Sequence, residues 1–195
     1  MESAPVDAAA LPAPEGGEAR TLWTVLAINA FMFVAELVAG WLAQSTGLLA
    51  DSLDMLADAA VYGLALHAVG RPAVLKRRAA HLSGALQLAL ALFAFAEVAR
   101  RAVSGSEPLS PVMIGVSLVA LAANVACLVL VQRQRHRGVH MQASAIFSAN
   151  DVLANLGVIA AGLLVAGTGS PWPDLAMGTA IAALVLRGAL RILRL

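Results

Sequence analysis

Residues 29–66 read NAFMFVAELVAGWLAQSTGLLADSLDMLADAAVYGLAL. The segment is two long apolar runs separated by a short polar break, Gln44-Ser45-Thr46-Gly47, and each run carries acids in its interior. A hydrocarbon core about 30 Å thick takes roughly 20 residues of helix, which each run can supply. The reading is therefore a pair of membrane-crossing helices with acids placed where the surrounding solvent is lipid.

The rest of the chain agrees. It has 195 residues, 60% apolar and 13% charged, with a mean hydropathy of +0.81. Soluble domains are nearer 45–50% apolar and about 25% charged, so one water-soluble core cannot absorb this much hydrocarbon. Polar punctuation divides the chain into six apolar stretches, near 22–43, 48–70, 80–102, 110–132, 142–167 and 173–192. The breaks fall at Gln44 to Gly47, at Arg71-Pro72, from Gly105 to Pro111, from Arg133 to Gly138, and from Thr168 to Pro173, where Trp172 suits an interface. The fold expected is an all-α membrane protein of six transmembrane helices.

Basic residues set the orientation, because cytoplasmic loops collect Lys and Arg. With the N-terminus inside, eleven of them lie inside: Arg20, the cluster from Arg71 to Arg78, Arg133, Arg135, Arg137, and the three arginines of the last helix. Only Arg100 and Arg101 lie outside. Both termini are expected to be cytoplasmic. Residues 1–20 hold four acids and three prolines with no apolar run, and read as a disordered cytoplasmic tail rather than a cleaved signal. Residues 21–195 are expected to be the transmembrane domain, and no C-terminal cytoplasmic domain is expected. The one cysteine, Cys127, allows neither a disulfide framework nor a cysteine-based zinc knuckle within the chain.

A carboxylate at mid-bilayer depth costs on the order of 2.5–3.5 kcal/mol, so the acids inside the spans call for a reason. Glu97 precedes Arg100 and Arg101 by three and four residues and can pair with them. Asp174 stands in the first turn of the sixth helix, where a carboxylate can satisfy amide hydrogens. The second helix is different. At about 100° per residue, Asp51, Asp54 and Asp58 share an arc of roughly 60°, with no base in that helix before Arg71. Like charges on one stripe conflict unless protons or a cation intervene, and an i, i+4 pair of carboxylates can point at one ion. In the fifth helix Asp151 lies between Asn150 and Asn155, with Asn155 on its own face.

The metal-site candidates are thus Asp54, Asp58 and Asp151, with Asp51, Asn150 and Asn155 as further oxygen ligands. Glu36 has either a helix-pairing or a proton-binding role. His136 and His140, at i, i+4, are candidates for cytoplasmic metal capture, whereas His67 and His81 read as interfacial. The bland alternative is that the asparagines, Asn29 and Asn124 included, join helices by hydrogen bonds. Small residues, Gly63, Gly115, Gly157, Gly162 and Gly178, permit close helix packing.

The quoted stretch, with Asn29, Glu36, Gly40, Ser45 and the LLADSLxMLxD core, resembles the cation diffusion facilitators. NDVLANLGVIAAG in the fifth helix and PDLAMGTAIAALVLRGALRIL in the sixth extend the similarity over about residues 25–193. The resemblance implies a proton-coupled exporter of Zn²⁺ or a similar ion that works by alternating access, usually as a homodimer in a plasma (inner) membrane of bacterial type. It implies paired His/Asp-xxx-Asp ligands from helices two and five forming a tetrahedral site. Asp54 and Asp58 match one pair and Asp151 the second member of the other. The first member falls on Phe147, which cannot bind metal. Either water or Asn150 completes a site on Asp54, Asp58 and Asp151, or the site slides outward by a turn to include Asp51 and Asn155. Such an oxygen-rich site admits Co²⁺, Cd²⁺, Mn²⁺ or Fe²⁺ beside Zn²⁺.

No permanently bound cofactor and no nucleic-acid partner is expected; the partners are the ion, the proton and the bilayer. Against this stand a non-transporting membrane scaffold or accessory subunit with a decayed site, and an organic-cation exporter, which the 5% aromatic content disfavours. No enzymatic constellation is evident.

Overall fold

In the computed structural model, which describes residues 16–68, 73–134 and 139–194, the chain forms six helices: α1 Gly16–Leu42, α2 Thr46–Ala68, α3 Ala73–Ser104, α4 Ser110–Gln132, α5 Val139–Thr168 and α6 Trp172–Leu193. The described residues contain no strand. A helix stands at each of the six expected spans. α1, α3 and α5 run beyond them into polar residues, because helix, once nucleated, propagates past the apolar limit at little cost. The turns close with left-handed backbone at Gly105 (φ 80°) and Gly169 (φ 65°), the residue type that tolerates it. Pro111 stands in the first turn of α4 and Pro173 in that of α6, where a missing amide hydrogen is harmless.

Five of the helices are long and apolar enough to cross a membrane, and α2 is the exception. Its three aspartates spoil the apolar window, and the packing explains why they are tolerated. α1 lies mainly on α2, α3 on α6 and α4 on α5, while α2 touches all five of the others. α2 is thus enclosed by protein, with Leu48, Leu53, Met55, Ala57 and Tyr62 all buried. The lipid-facing work falls to residues such as Phe31, Val34 and Val38 of α1. Trp23 at one end of α1, and Trp41 and Trp172 at the other face, are exposed where interfacial aromatics belong.

The outer ends are tied by one carboxylate. Fully buried Asp174 at the start of α6 accepts hydrogen bonds from the Thr46 and Gly47 amides (2.6 and 2.9 Å) and from the Ser45 and Thr46 hydroxyls (2.6 and 2.8 Å). It satisfies amide hydrogens, as expected of a first-turn acid, but those of α2 rather than of its own helix. The Thr46 hydroxyl also reaches the Asp174 carbonyl (2.9 Å), and Ser45 Oγ accepts the Leu48 amide (3.1 Å), capping α2 from within. The approach is close enough that a Cβ at Gly178 would lie 2.9 Å from the Thr46 backbone, and one at Gly40 2.9 Å from the Leu49 nitrogen. Gly157 and Gly162 also sit at crowded contacts, whereas Gly63 and Gly115 have open space around them and do not mediate packing in this chain.

Charge-assisted hydrogen bonds contribute about 1.5–3 kcal/mol each, and buried donors left unpaired are costly. Asp174→Ala is therefore expected to destabilise the detergent-solubilised protein by about 2–4 kcal/mol, with Asp174→Asn less affected. Thermal unfolding of both variants checks this.

Candidate metal centre

Two contacts fix how α2 faces α5. At the outer side, a Cβ on Gly47 would lie 3.4 Å from the Val158 side chain; at the inner side, the Tyr62 hydroxyl donates to the Ser144 carbonyl at 3.4 Å. The helices run in opposite directions, so positions pair in descending against ascending order. Seven residues inward from Gly47 is Asp54, and seven back from Val158 is Asp151. Four residues outward from Tyr62 is Asp58, and four on from Ser144 is Ser148. Asp51 falls level with Ala154 and Asn155.

Burial follows the same stripe. Asp51, Asp58, Asp151, Asn155 and Glu36 are buried and Asp54 is half-buried, while Asn150 is exposed on the far side of α5. Asp58 lies within electrostatic reach of Asp54 and Asp151, and Asp151 within reach of Asp54 and Asp51. Glu36, from α1, lies within reach of Asp151 and Asp54 and faces Asp51 at side-chain hydrogen-bonding range. Neither the Glu36 nor the Asp51 carboxylate has a donor from any other group, so two acceptors confront each other and can bond only through a proton held between them. The described ion pairs both belong to Glu97, which takes Arg100 (2.7 Å) and Arg101 (2.6 Å) as its spacing foretold. No Lys or Arg pairs with the five-acid group among the described residues.

Among the described residues, no three His, Cys, Asp or Glu side chains converge tightly enough to hold an ion. Five carboxyl groups without a compensating cation repel one another, the more strongly for being out of water. The arrangement gathers the acids within about two helical turns on three facing helices and leaves them spread.

The asparagines do not join helices through hydrogen bonds as the bland reading supposed. The Asn155 amide donates to the Asp151 carbonyl of its own helix (2.9 Å) and Asn29 to Val25 of its own (2.9 Å), with both Oδ1 atoms unpartnered. Buried Asn124 has no partner for either amide atom. His136 lies outside the described residues, as does the side chain of His140, while His81 is half-buried on α3. Phe147 packs edge-on against Tyr62, ring centroids 6.4 Å apart, beside an inner apolar cluster of Leu22, Val25, Cys127 and Val131.

Two residues beside the acids were not singled out from sequence: Tyr62, within reach of Asp58 and Asp151, and buried Ser148. The signal for Ser148 is the 144/148/151/155 spacing, which places Ser, Ser, Asp and Asn on one helical face.

Residues 22–194 match the cation efflux transmembrane domain. The chain is 31% identical over 194 residues to the zinc transporter ZitB of Pectobacterium atrosepticum, covering 92% of this chain and 60% of that protein. It is 27% identical to the zinc transporter ZitB of Yersinia pestis, with 92% and 62% covered. It is also 27% identical to the metal cation efflux system protein CzcD of Cupriavidus metallidurans, with 88% and 58% covered. The chain thus spans about three-fifths of the length of these relatives.

Replacing Glu36 by Gln supplies an amide donor to Asp51 and removes one charge from the facing pair. Glu36→Gln is expected to raise the melting temperature in detergent by about 2–4 °C, roughly 1 kcal/mol, whereas Glu36→Ala, which leaves a cavity, lowers it; differential scanning fluorimetry across both variants decides.

Proposed function

The chain belongs to the cation efflux transmembrane domain family, and from that premise we propose that it moves a divalent metal cation, Zn²⁺ or a similar ion, out of the cytoplasm in exchange for protons. The observation that carries this reading is the five-acid group of Glu36, Asp51, Asp54, Asp58 and Asp151, enclosed by protein with no Lys or Arg partner. A scaffold has no use for such a group, since apolar residues in its place would be more stable. A relative from Bacillus velezensis, 24% identical, is named a cadmium, cobalt and zinc/H⁺-K⁺ antiporter, which supports both the ion class and the exchange.

Asp54, Asp58 and Asp151 are the ligands in this reading, with the Asn155 oxygen or Asp51 available one turn outward. The arriving dication displaces protons and draws the spread carboxylates together, cancelling their repulsion. When the bundle opens outward, protons return to the carboxylates and weaken the site, so the ion leaves. His136 and His140, from the basic stretch of sequence at the junction of α4 and α5, are the candidates for capturing the ion as it enters. The protein works as a homodimer in an inner membrane of bacterial type, and it is a carrier and not an enzyme.

Metal uptake into proteoliposomes is expected for the wild type and to fall to background in Asp54→Ala, Asp58→Ala and Asp151→Ala; uptake that persists in all three overturns the assignment. Calorimetric titration should show saturable binding whose affinity drops as pH falls, about tenfold per pH unit for each proton released. A pH-independent affinity between pH 5 and 8 (about the range in which protons and ions compete for such groups) contradicts proton exchange.

A further inference from the structure

The family's fourth ligand position falls on Phe147, whose ring is engaged with Tyr62. The next residue, Ser148, is 0% exposed and its Oγ makes no hydrogen bond of good geometry. Ser117 on α4 and Ser106 share that state, but neither lies on the face of α5 that carries Asp151. Other hydroxyls bond back to their own helix: Ser52 to the Leu49 carbonyl (2.7 Å), Ser83 to Ala80 (2.9 Å) and Thr179 to Leu175 (2.7 Å). Leaving a buried hydroxyl unpaired costs about 1–3 kcal/mol; the Tyr62 hydroxyl is within side-chain hydrogen-bonding range of Ser148, and the serine oxygen keeps a lone pair for a further partner.

Its position supplies one. The contact that joins Tyr62 to Ser144 places Ser148 opposite Asp58, and Ser148 lies three residues before Asp151 on the same buried face. Tyr62 stands beside it. Three carboxylates and a neutral hydroxyl thereby surround one depth of the bundle, where an imidazole cannot be offered.

We infer that Ser148 Oγ is the fourth oxygen ligand of the transported dication, in the role Phe147 cannot fill, and that this all-oxygen set narrows the advantage of Zn²⁺ over harder ions such as Mn²⁺. The inference rests on Asp54, Asp58 and Asp151 being the other ligands. Imidazole and thiolate favour Zn²⁺ and softer ions, whereas carboxylate and hydroxyl oxygens suit Mn²⁺; the ligand at this one position therefore sets the ratio.

The test is calorimetric titration of the full chain in detergent with MnCl₂ and with ZnCl₂. Ser148→Ala is expected to weaken Mn²⁺ binding about tenfold or more, and Ser148→Thr, which keeps the oxygen, to restore it to within about threefold. Ser83→Ala, a buried hydroxyl on α3, leaves binding unchanged. Ser148→Cys reverses the ratio toward Zn²⁺, and on adding CdCl₂ it gains a thiolate-to-metal absorption band in the near ultraviolet over the wild type, whose own Cys127 serves as background. The band disappears when Asp54→Ala is combined with Ser148→Cys. Wild-type Mn²⁺ affinity in Ser148→Ala, or no new cadmium band in Ser148→Cys, overturns the inference while leaving the carboxylate assignment standing. A wild-type protein that binds no dication overturns both.

Discussion

Charge burial without a counter-charge is the constraint on which this structure turns. A carboxylate facing lipid is expensive, and this chain buries several within about two turns of a helical bundle. They are accommodated by architecture: the helix with three of them is the one the other five surround. α2 needs no broad apolar face toward lipid because little of it is left uncovered, with Asp54, Leu56, Ala60 and Val61 half-buried. That is also why its composition falls short of a membrane span when judged alone. The acids and the central position of α2 are two descriptions of one solution.

Holding α2 at the right depth is the second requirement, since a shift of one turn, about 5.4 Å, would set Asp54 against the wrong residue of α5. The Asp174 carboxylate meets it at the outer end. It fastens the first turn of α2 to α6 through amide and hydroxyl donors, at a spot where the absence of side chains on Gly40 and Gly178 lets the helices approach. Gln44 completes the turn in left-handed backbone (φ 51°), a conformation that costs a residue with a side chain about 1–2 kcal/mol. Its side-chain oxygen accepts the Glu107 amide (3.3 Å), and the Leu109 amide reaches the Ala43 carbonyl (2.9 Å), so the α3–α4 loop braces the same corner.

Much of the fold is legible in the sequence because lipid imposes a length and a composition on each span. Helix number, the polar breaks and the Glu97 pairing with Arg100 and Arg101 all follow from local pattern. What local pattern does not reveal is the partner across a gap. Asp174 reads as a first-turn acid of α6, and only the packing shows that its donors belong to α2. Gly63 and Gly115 look like packing glycines and meet open space, since a small residue permits a contact without compelling one. The asparagines read as inter-helix bonders, yet Asn29 and Asn155 donate to their own helices and keep an oxygen unpaired. For the candidate site, the acidic stripe is written in the spacing of Asp51, Asp54 and Asp58. The facing of Glu36 and Asp51 from different helices is not.

Phe147 illustrates how one substitution redistributes work within such a site. An aromatic ring at that position takes up Tyr62 and extends the apolar cluster of Leu22, Val25, Cys127 and Val131 beneath the acids. That cluster lies between the carboxylates and the end of the bundle where α1 begins, where it excludes water from one side of the charged layer. Excluding water strengthens every interaction among the acids, favourable or not. The same dryness that would make a bound dication tightly held therefore makes the ion-free group repulsive, and a carboxylate layer of this kind is stable only in company with protons or a metal. Exchange of one for the other is then a consequence of burying the charge.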